Sequence, residues 1–258
     1  MKKRNSKIQL IICLITFVIS AGILCFKLIE YYLDAKTSRV IRKELVEIYE
    51  ETKNEFLEVQ EKTKIEKLKE LQKTNSDIVA LIEIEGTNIN YPVVQTNNND
   101  YYMTHNYKKE KSKDGAIFLD KDYDWKKPSK NLLIYGHNNI GSTEMFVQLI
   151  KFKNEDFYKK HKIIKFTTNE EEAQFEIISV FLSRVYYRHE KDVFRYYYFI
   201  DAKNEKEFNN FVNNAKKASM YNIETTAEYG DQLMTLSTCD YSQTNGRFVV
   251  VARKVMSD

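Results

Sequence analysis

The chain has 258 residues, 43% hydrophobic and 30% charged, which suits one globular domain with extra segments. That balance excludes a wholly disordered chain and an enzyme of several large lobes. Lys and Arg number 40 against 37 Asp and Glu, and a net charge of +3 gives no case for nucleic-acid binding. Aromatic residues make up 13%, with 18 Tyr, 15 Phe and one Trp, as in a Tyr-rich β domain. Pro92 and Pro128 are the only prolines, so no proline-rich linker is present.

In chain order, the first feature is a basic cluster, Lys2, Lys3, Arg4 and Lys7, ahead of Ile8 to Phe26, 19 residues without a charge. At about 1.5 Å per residue, such a run nearly spans the hydrocarbon core of a bilayer. A cleaved signal peptide has a shorter apolar region and ends in a small-x-small site. Here Lys27, Leu28, Ile29 and Glu30 follow, so an uncleaved anchor is expected. The adjoining basic cluster argues against a buried soluble helix. Positive residues stay cytoplasmic. The expected layout is therefore a single-pass protein with its N-terminus inside. Residues 1–30 form a cytoplasmic stub and transmembrane signal anchor, with the membrane met through residues 8–29, and everything beyond lies outside. Cys13 and Cys25 fall in the anchor. Cys239 is then the only exported cysteine, and no intramolecular disulfide can form there.

Residues 31–77 contain no Gly or Pro and are rich in Glu and Lys. Ile41, Leu45, Ile48, Phe56, Val59, Leu68 and Leu71 recur mostly at three- and four-residue steps. This predicts one or two amphipathic helices that pack on the following domain and space it from the membrane.

From residue 78 the pattern changes to short strands, at 78–84, 89–95, 115–119, 131–136, 161–167, 173–185, 232–238 and 247–255. Gly86, Gly115, Gly136, Gly230 and Gly246 punctuate them. Eight strands over 78–258 predict a mainly β fold with helical insertions, a closed or nearly closed barrel. The insertions are expected at 143–152 and 204–219. Strand order does not follow from the pattern.

The four histidines, His105, His137, His161 and His189, have no i, i+4 or HExxH spacing, and there is no CxxC, so no metal site is expected. Phosphate-loop, dinucleotide and GxSxG signatures are also absent. Cys239 ends the run LMTLSTC and a polar stretch, DYSQTNG, follows it. That places the thiol at a strand end, as a nucleophile or as a small buried hydrophobe. A free thiol is mostly protonated near pH 7 and needs a helper. His137 follows the apolar strand ending in Tyr135-Gly136, whereas His105 sits in the aromatic stretch NDYYMTHNYK, so position favours His137. His161 and His189 have charged neighbours and read as solvated. Arg247 opens the last strand, eight residues after Cys239. If the two strands pair across the loop, both residues meet at one rim. The guanidinium is then either a solvated charge or a donor to a developing oxyanion.

TLSTC at 235–239, Arg247 opening RFVVVARKV, and YGH at 135–137 together resemble the sortases, membrane-anchored cysteine transpeptidases of Gram-positive bacteria. The resemblance covers about residues 78–258 as the eight-stranded catalytic barrel. NNDYYMTHNY at 98–107, GAIFLD at 115–120, the helices at 31–77 and the helix at 204–219 are most similar to class B members. The Asp-Pro-aromatic lid motif of the pilin-polymerising class is missing, and no calcium-assisted loop of the housekeeping class maps onto the chain.

The resemblance implies roles residue by residue. Cys239 is the nucleophile, His137 the acid and base, and Arg247 the oxyanion or substrate stabiliser. The substrate is a surface protein with a C-terminal sorting motif of NPxTx or SPxTG type, cleaved after Thr. The acceptor is an amine of peptidoglycan or of its lipid-linked precursor, reached through a thioester, with no cofactor. Asn99 and Met103 correspond to groove positions, with Met103 where Leu is more usual. Ser237 neighbours the nucleophile, and Phe194 stands as an aromatic wall. Asp240 falls where related enzymes often carry an acid. Two other classes stay open: a surface cysteine protease with water as acceptor, and a non-catalytic membrane-tethered binding domain.

Overall fold

The computed structural model describes residues 2–54, 63–128 and 130–255, the first stretch with side chains from 19 to 46. The chain divides into two units, residues 1–58 and 59–258. The first is one helix, α1 (Lys2–Asn54). It has no Pro and a single Gly, Gly22, so nothing in the sequence interrupts the helical ladder across the expected anchor and the start of the spacer. Ile19, Ile23, Leu24, Phe26, Leu28 and Ile29 are exposed along it. Among the described residues no helix is long and apolar enough to cross a membrane. The side chains of residues 8–18, most of the expected anchor, lie outside the described residues, as do those of Ile48, Phe56 and Val59 of the predicted stripe.

The second unit begins with α2 (Lys64–Thr74). Thr63 accepts from the Glu66 amide while the Glu66 carboxylate accepts from the Thr63 amide, a reciprocal capping box that starts the helix. Leu68 is fully buried and Leu71 half-buried.

The barrel strands are β1 (Ile78–Ile84), β2 (Asn90–Val94), β3 (Ile117–Leu119), β4 (Asn131–Tyr135), β5 (Ile163–Thr167), β6 (Glu172–Arg184), β7 (Leu233–Cys239) and β8 (Gly246–Lys254). All eight expected strands are present, each within about two residues of its predicted bounds. They close in the order β1-β2-β3-β4-β7-β8-β6-β5, with β5 back on β1. Pairing is antiparallel except for β2 with β3 and β4 with β7.

Side-chain alternation gives two apolar layers. Phe248, Val250 and Ala252 of β8 join Met234 and Leu236 of β7 inside the barrel. Val249 and Val251 face outward and meet α4 (Glu205–Ala218). Phe208, Phe211, Val212 and Ala215 recur at i, i+3, i+4 and i+7, so one stripe of α4 is buried. Each fully buried Phe contributes about 1.5–3 kcal/mol. Asn204 caps the helix by accepting from the Glu207 amide.

The helix expected at 143–152 is replaced by a 3₁₀ segment (Val147–Lys153) followed by α3 (Glu155–Lys160). Asn154 explains the break. Its carboxamide oxygen accepts from the amides of Asp156 at 2.8 Å and Phe157 at 3.3 Å, which starts a new helix there. Leu149 and Phe152, three apart, are both buried, in step with a three-residue turn.

Candidate active site

Two strand pairings build the site. β4 runs parallel to β7 in a register that sets Tyr135 opposite Ser237. Carrying that register two residues further sets His137 opposite Cys239. β7 and β8 pair antiparallel with Cys239 directly opposite Arg247. His137, two residues past the end of β4, thus comes to the end of the barrel where Cys239 and Arg247 face each other. All three line a groove of about 440 Å³.

Beyond the last paired residues of β4 and β7, one main-chain bond and then side chains continue the cross-links. The Gly136 amide donates to the Ser237 carbonyl at 3.2 Å, and the Thr238 hydroxyl to the Gly136 carbonyl at 2.7 Å. Asn138 Nδ2 donates to the Cys239 carbonyl at 2.9 Å, and the Tyr241 hydroxyl to the Asn138 carbonyl at 2.5 Å. Gly136 has no alternative, since a Cβ there would lie 2.7 Å from the buried Phe146 ring.

His137 Nε2 lies 2.8 Å from the Met103 carbonyl. A carbonyl only accepts, so in this bond Nε2 carries the proton. His105 is not in the groove. It stacks on Tyr101 with ring centroids 4.2 Å apart, and its Nδ1 bonds the Tyr101 carbonyl at 2.9 Å. Arg247 Nη1 donates to the Gly246 carbonyl at 2.9 Å, which tethers the guanidinium where β8 starts.

The groove also contains Asn99, Met103 and Ser237. Asn99 is fixed: its Nδ2 donates to Asp120 at 2.9 Å and its Oδ1 accepts from the Lys121 amide at 2.9 Å. Ser237 is buried and shares a hydrogen bond of 2.7 Å with the Tyr196 hydroxyl. Phe194 is the exception. It packs against Phe181 and Phe211, at centroid distances of 5.8 and 5.6 Å, in the layer between β6 and α4. Tyr196, Tyr197 and Tyr198, in the 3₁₀ turn that follows, line the groove instead, with Tyr196 itself buried against Phe181 and Tyr198 exposed.

Reading along the chain misses Asp120, Tyr135 and these tyrosines. The buried Asp120 accepts from Asn99, from the Tyr135 hydroxyl at 3.0 Å and from the Asp122 amide at 2.9 Å. Burial, then the Asp120 charge, raises the Tyr135 pKa, with Arg247 pulling weakly the other way, so the phenol stays a donor. The Tyr-Gly-His string could have pointed to Tyr135. The others become neighbours only through barrel closure.

Asp240 is buried and ion-paired with Lys153, and also accepts from the Ser242 amide at 3.0 Å and from the Ser242 hydroxyl. Burial pushes its pKa up, but the bonds from Lys153 and Ser242 outweigh that, and the net shift is downward. The carboxylate thus pins the residue after Cys239 to the segment before α3. Lys153→Met should leave this carboxylate buried and short of a partner, costing about 1–3 kcal/mol at neutral pH. Because the folded-state pKa is depressed, the pair's stabilisation is present above the ordinary value of 3.8 and is lost as pH falls through the lower folded value. Denaturant unfolding of both proteins across that window checks it: the gap should close on acidification.

Among the described residues no group of three or more His, Cys, Asp or Glu is placed to hold a metal ion.

The sortase domain family matches residues 82–255. Sortase B of Staphylococcus aureus is 34% identical over 181 residues, 69% of this chain and 70% of that protein. Sortase B of Listeria monocytogenes is 32% identical over 183 residues, 70% of this chain and 71% of that protein. In structure, the S. aureus sortase B–substrate complex superposes with a TM-score of 0.72 at 28% identity, covering 88% of this chain and all of the other. A β-barrel with a thiol at the end of β7 in a groove shared with His and Arg is the framework of a cysteine acyl-transfer enzyme. The chain belongs to the sortase family. Within it, the chain is most like the class B members and is a cysteine transpeptidase. Membership carries the general reaction, attachment of surface proteins to a peptidoglycan acceptor.

Proposed function

We propose that the protein is an outward-facing, membrane-anchored transpeptidase that cleaves sorting motifs of NPxTx or SPxTG type after Thr. The observation that carries the reading is that His137, Cys239 and Arg247 line one groove, with Cys239 directly opposite Arg247. Cys239 Sγ, as thiolate, attacks the Thr carbonyl carbon. Arg247 donates to the oxygen as negative charge develops. Imidazolium at His137 protonates the leaving amine, the C–N bond breaks, and a thioester remains. An amine of peptidoglycan or of its lipid-linked precursor then attacks the thioester. His137 takes the proton, the C–S bond breaks, and a new amide forms. Asn99, Met103, Ser237 and the tyrosine wall hold the motif in this reading.

His137→Ala is expected to lower kcat/KM on motif peptides by about 10²–10⁴. His105→Ala is expected to stay within about tenfold of wild type, a barrier change under roughly 1.4 kcal/mol. Steady-state cleavage of one peptide by both variants checks the assignment, and a reversed order defeats it.

Membrane anchorage through residues 8–29 is supported by the uncharged run, its basic flank and the exposed apolar side chains from Ile19 to Ile29. The full chain should sediment with membranes and resist carbonate extraction. A chain starting at residue 31 should be soluble and still cleave peptides. A soluble full chain would defeat the anchor.

A further inference from the structure

The strongest unexplained feature lies beside the groove, in the turn that carries Met103. Tyr101–Met103 form a single 3₁₀ turn. Its middle residue, Tyr102, points away from the groove and is 2% exposed. The Tyr102 hydroxyl donates to Asp77 at 2.9 Å and accepts from Asn75 Nδ2 at 2.8 Å. Asn75 is the C-cap residue of α2, itself 4% exposed, and its Nδ2 also donates to the Tyr107 carbonyl at 2.7 Å. Burial raises the Tyr102 pKa, which keeps the phenol protonated and able to donate. The turn therefore hangs from the junction of α2 and β1.

On its other side the turn meets Gly115. The Ala116 amide donates to the Tyr102 carbonyl at 2.9 Å. Gly115 has φ +59°, and a Cβ there would stand 2.4 Å from the Tyr102 carbonyl oxygen, 3.0 Å from that of Met103 and 3.1 Å from His137 Cδ2. Only glycine lets these two carbonyls and the imidazole approach so closely. The Met103 carbonyl then receives His137 Nε2–H at 2.8 Å.

We propose that this turn, suspended by Tyr102 and admitted by Gly115, is a device that sets the tautomer of His137. The Met103 carbonyl keeps the proton on Nε2 in both charge states. Nδ1 is consequently the atom that gives its proton to the leaving amine and takes one from the incoming amine. Tyr102, Asn75 and Gly115 are positioning residues: they act on the reaction only through the imidazole. The proposal rests on the function argued above for His137 and adds which nitrogen works and what orients it. The physical logic is that of a metal-bound or catalytic histidine whose second nitrogen is fixed by a carbonyl, so the first is presented in one protonation pattern and one direction.

The test uses the full chain in detergent with histidine rings labelled with ¹⁵N, His137 being assigned by the signal lost in His137→Gln. Neutral wild-type His137 should show the pattern of a protonated Nε2 and a bare Nδ1. Tyr102→Phe keeps the ring packing and removes both bonds of the hydroxyl. It should give a mixture of tautomers, a kcat about tenfold lower and a KM within about twofold of wild type. A protonated Nδ1 in the wild-type enzyme overturns the proposal, and that reading needs no variant to fold. Unchanged tautomer and kcat in a folded Tyr102→Phe overturn it as well. A wild-type chain that cleaves no motif peptide counts against the proposed function, whereas one that cleaves while showing a protonated Nδ1 counts against this inference alone.

Discussion

Replacing Cys239 with alanine is expected to abolish peptide cleavage, by at least about 10⁴-fold, because it removes the one thiol lining the groove, the group that forms the acyl-enzyme in the proposed reaction. The fold should survive. Cys239 is half-exposed at the last position of β7, and its backbone, not its sulfur, carries the pairing with Arg247 and accepts from Asn138. Loss of one exposed sulfur removes little buried apolar area, so thermal unfolding should move by no more than about 1 kcal/mol in stability. The variant should still bind motif peptide. Measuring cleavage, unfolding and peptide affinity together separates a missing nucleophile from a damaged site. Cleavage at near wild-type rate would defeat the enzymatic reading of Cys239.

The second large effect is expected at Arg247. Its proposed task uses a planar, permanently charged donor held beside the reacting carbonyl, and lysine offers the charge without the fork. Arg247→Lys should lower kcat by about 10²–10³, the scale seen when an oxyanion donor is removed. Stability should change little, since the side chain is only half-buried at the rim. Arg253 is the internal control. It lies six residues further along β8, about 20 Å away at the rise of a strand, opposite Leu233 and paired with Glu176 at 3.6 Å. Arg253→Lys should be nearly silent on one and the same peptide. Equal effects of the two substitutions, or a silent Arg247→Lys, would remove Arg247 from the reaction.

Much of the barrel was legible because local signals and burial agree. Short, nearly continuous apolar runs in β7 and β8, with Gly246 at the turn between them, mark both strands within a few residues. The stripe of α4 and its Asn204 cap are equally local. The 143–152 segment misled because apolar spacing alone does not separate an α-helix from a 3₁₀ segment ended by an Asn cap. Closure order escaped altogether, since the pairs β4–β7, β6–β8 and β1–β5 join strands that do not follow one another in sequence. The site divides along the same line. Cys239 and Arg247 belong to one hairpin, and His137 follows a visible strand end. The contacts that orient them do not: Met103 to His137, Lys153 to Asp240, and Asn138 to Cys239 each depend on loops brought together by closure. Phe194 shows the limit of reading aromatic residues by proximity, because it packs on Phe181 and Phe211 without lining the groove that Tyr196, Tyr197 and Tyr198 reach two to four residues later.

The most direct test follows a motif-bearing peptide through the wild-type enzyme with and without a small nucleophilic amine. Intact-mass analysis should show an acyl adduct on Cys239 that hydroxylamine removes, and added amine should divert the product from the free Thr acid to the Thr amide. A product that stays the free acid at every amine concentration would mark a protease, and the absence of any adduct or cleavage across NPxTx, SPxTG and LPxTG peptides would contradict the proposed reaction itself.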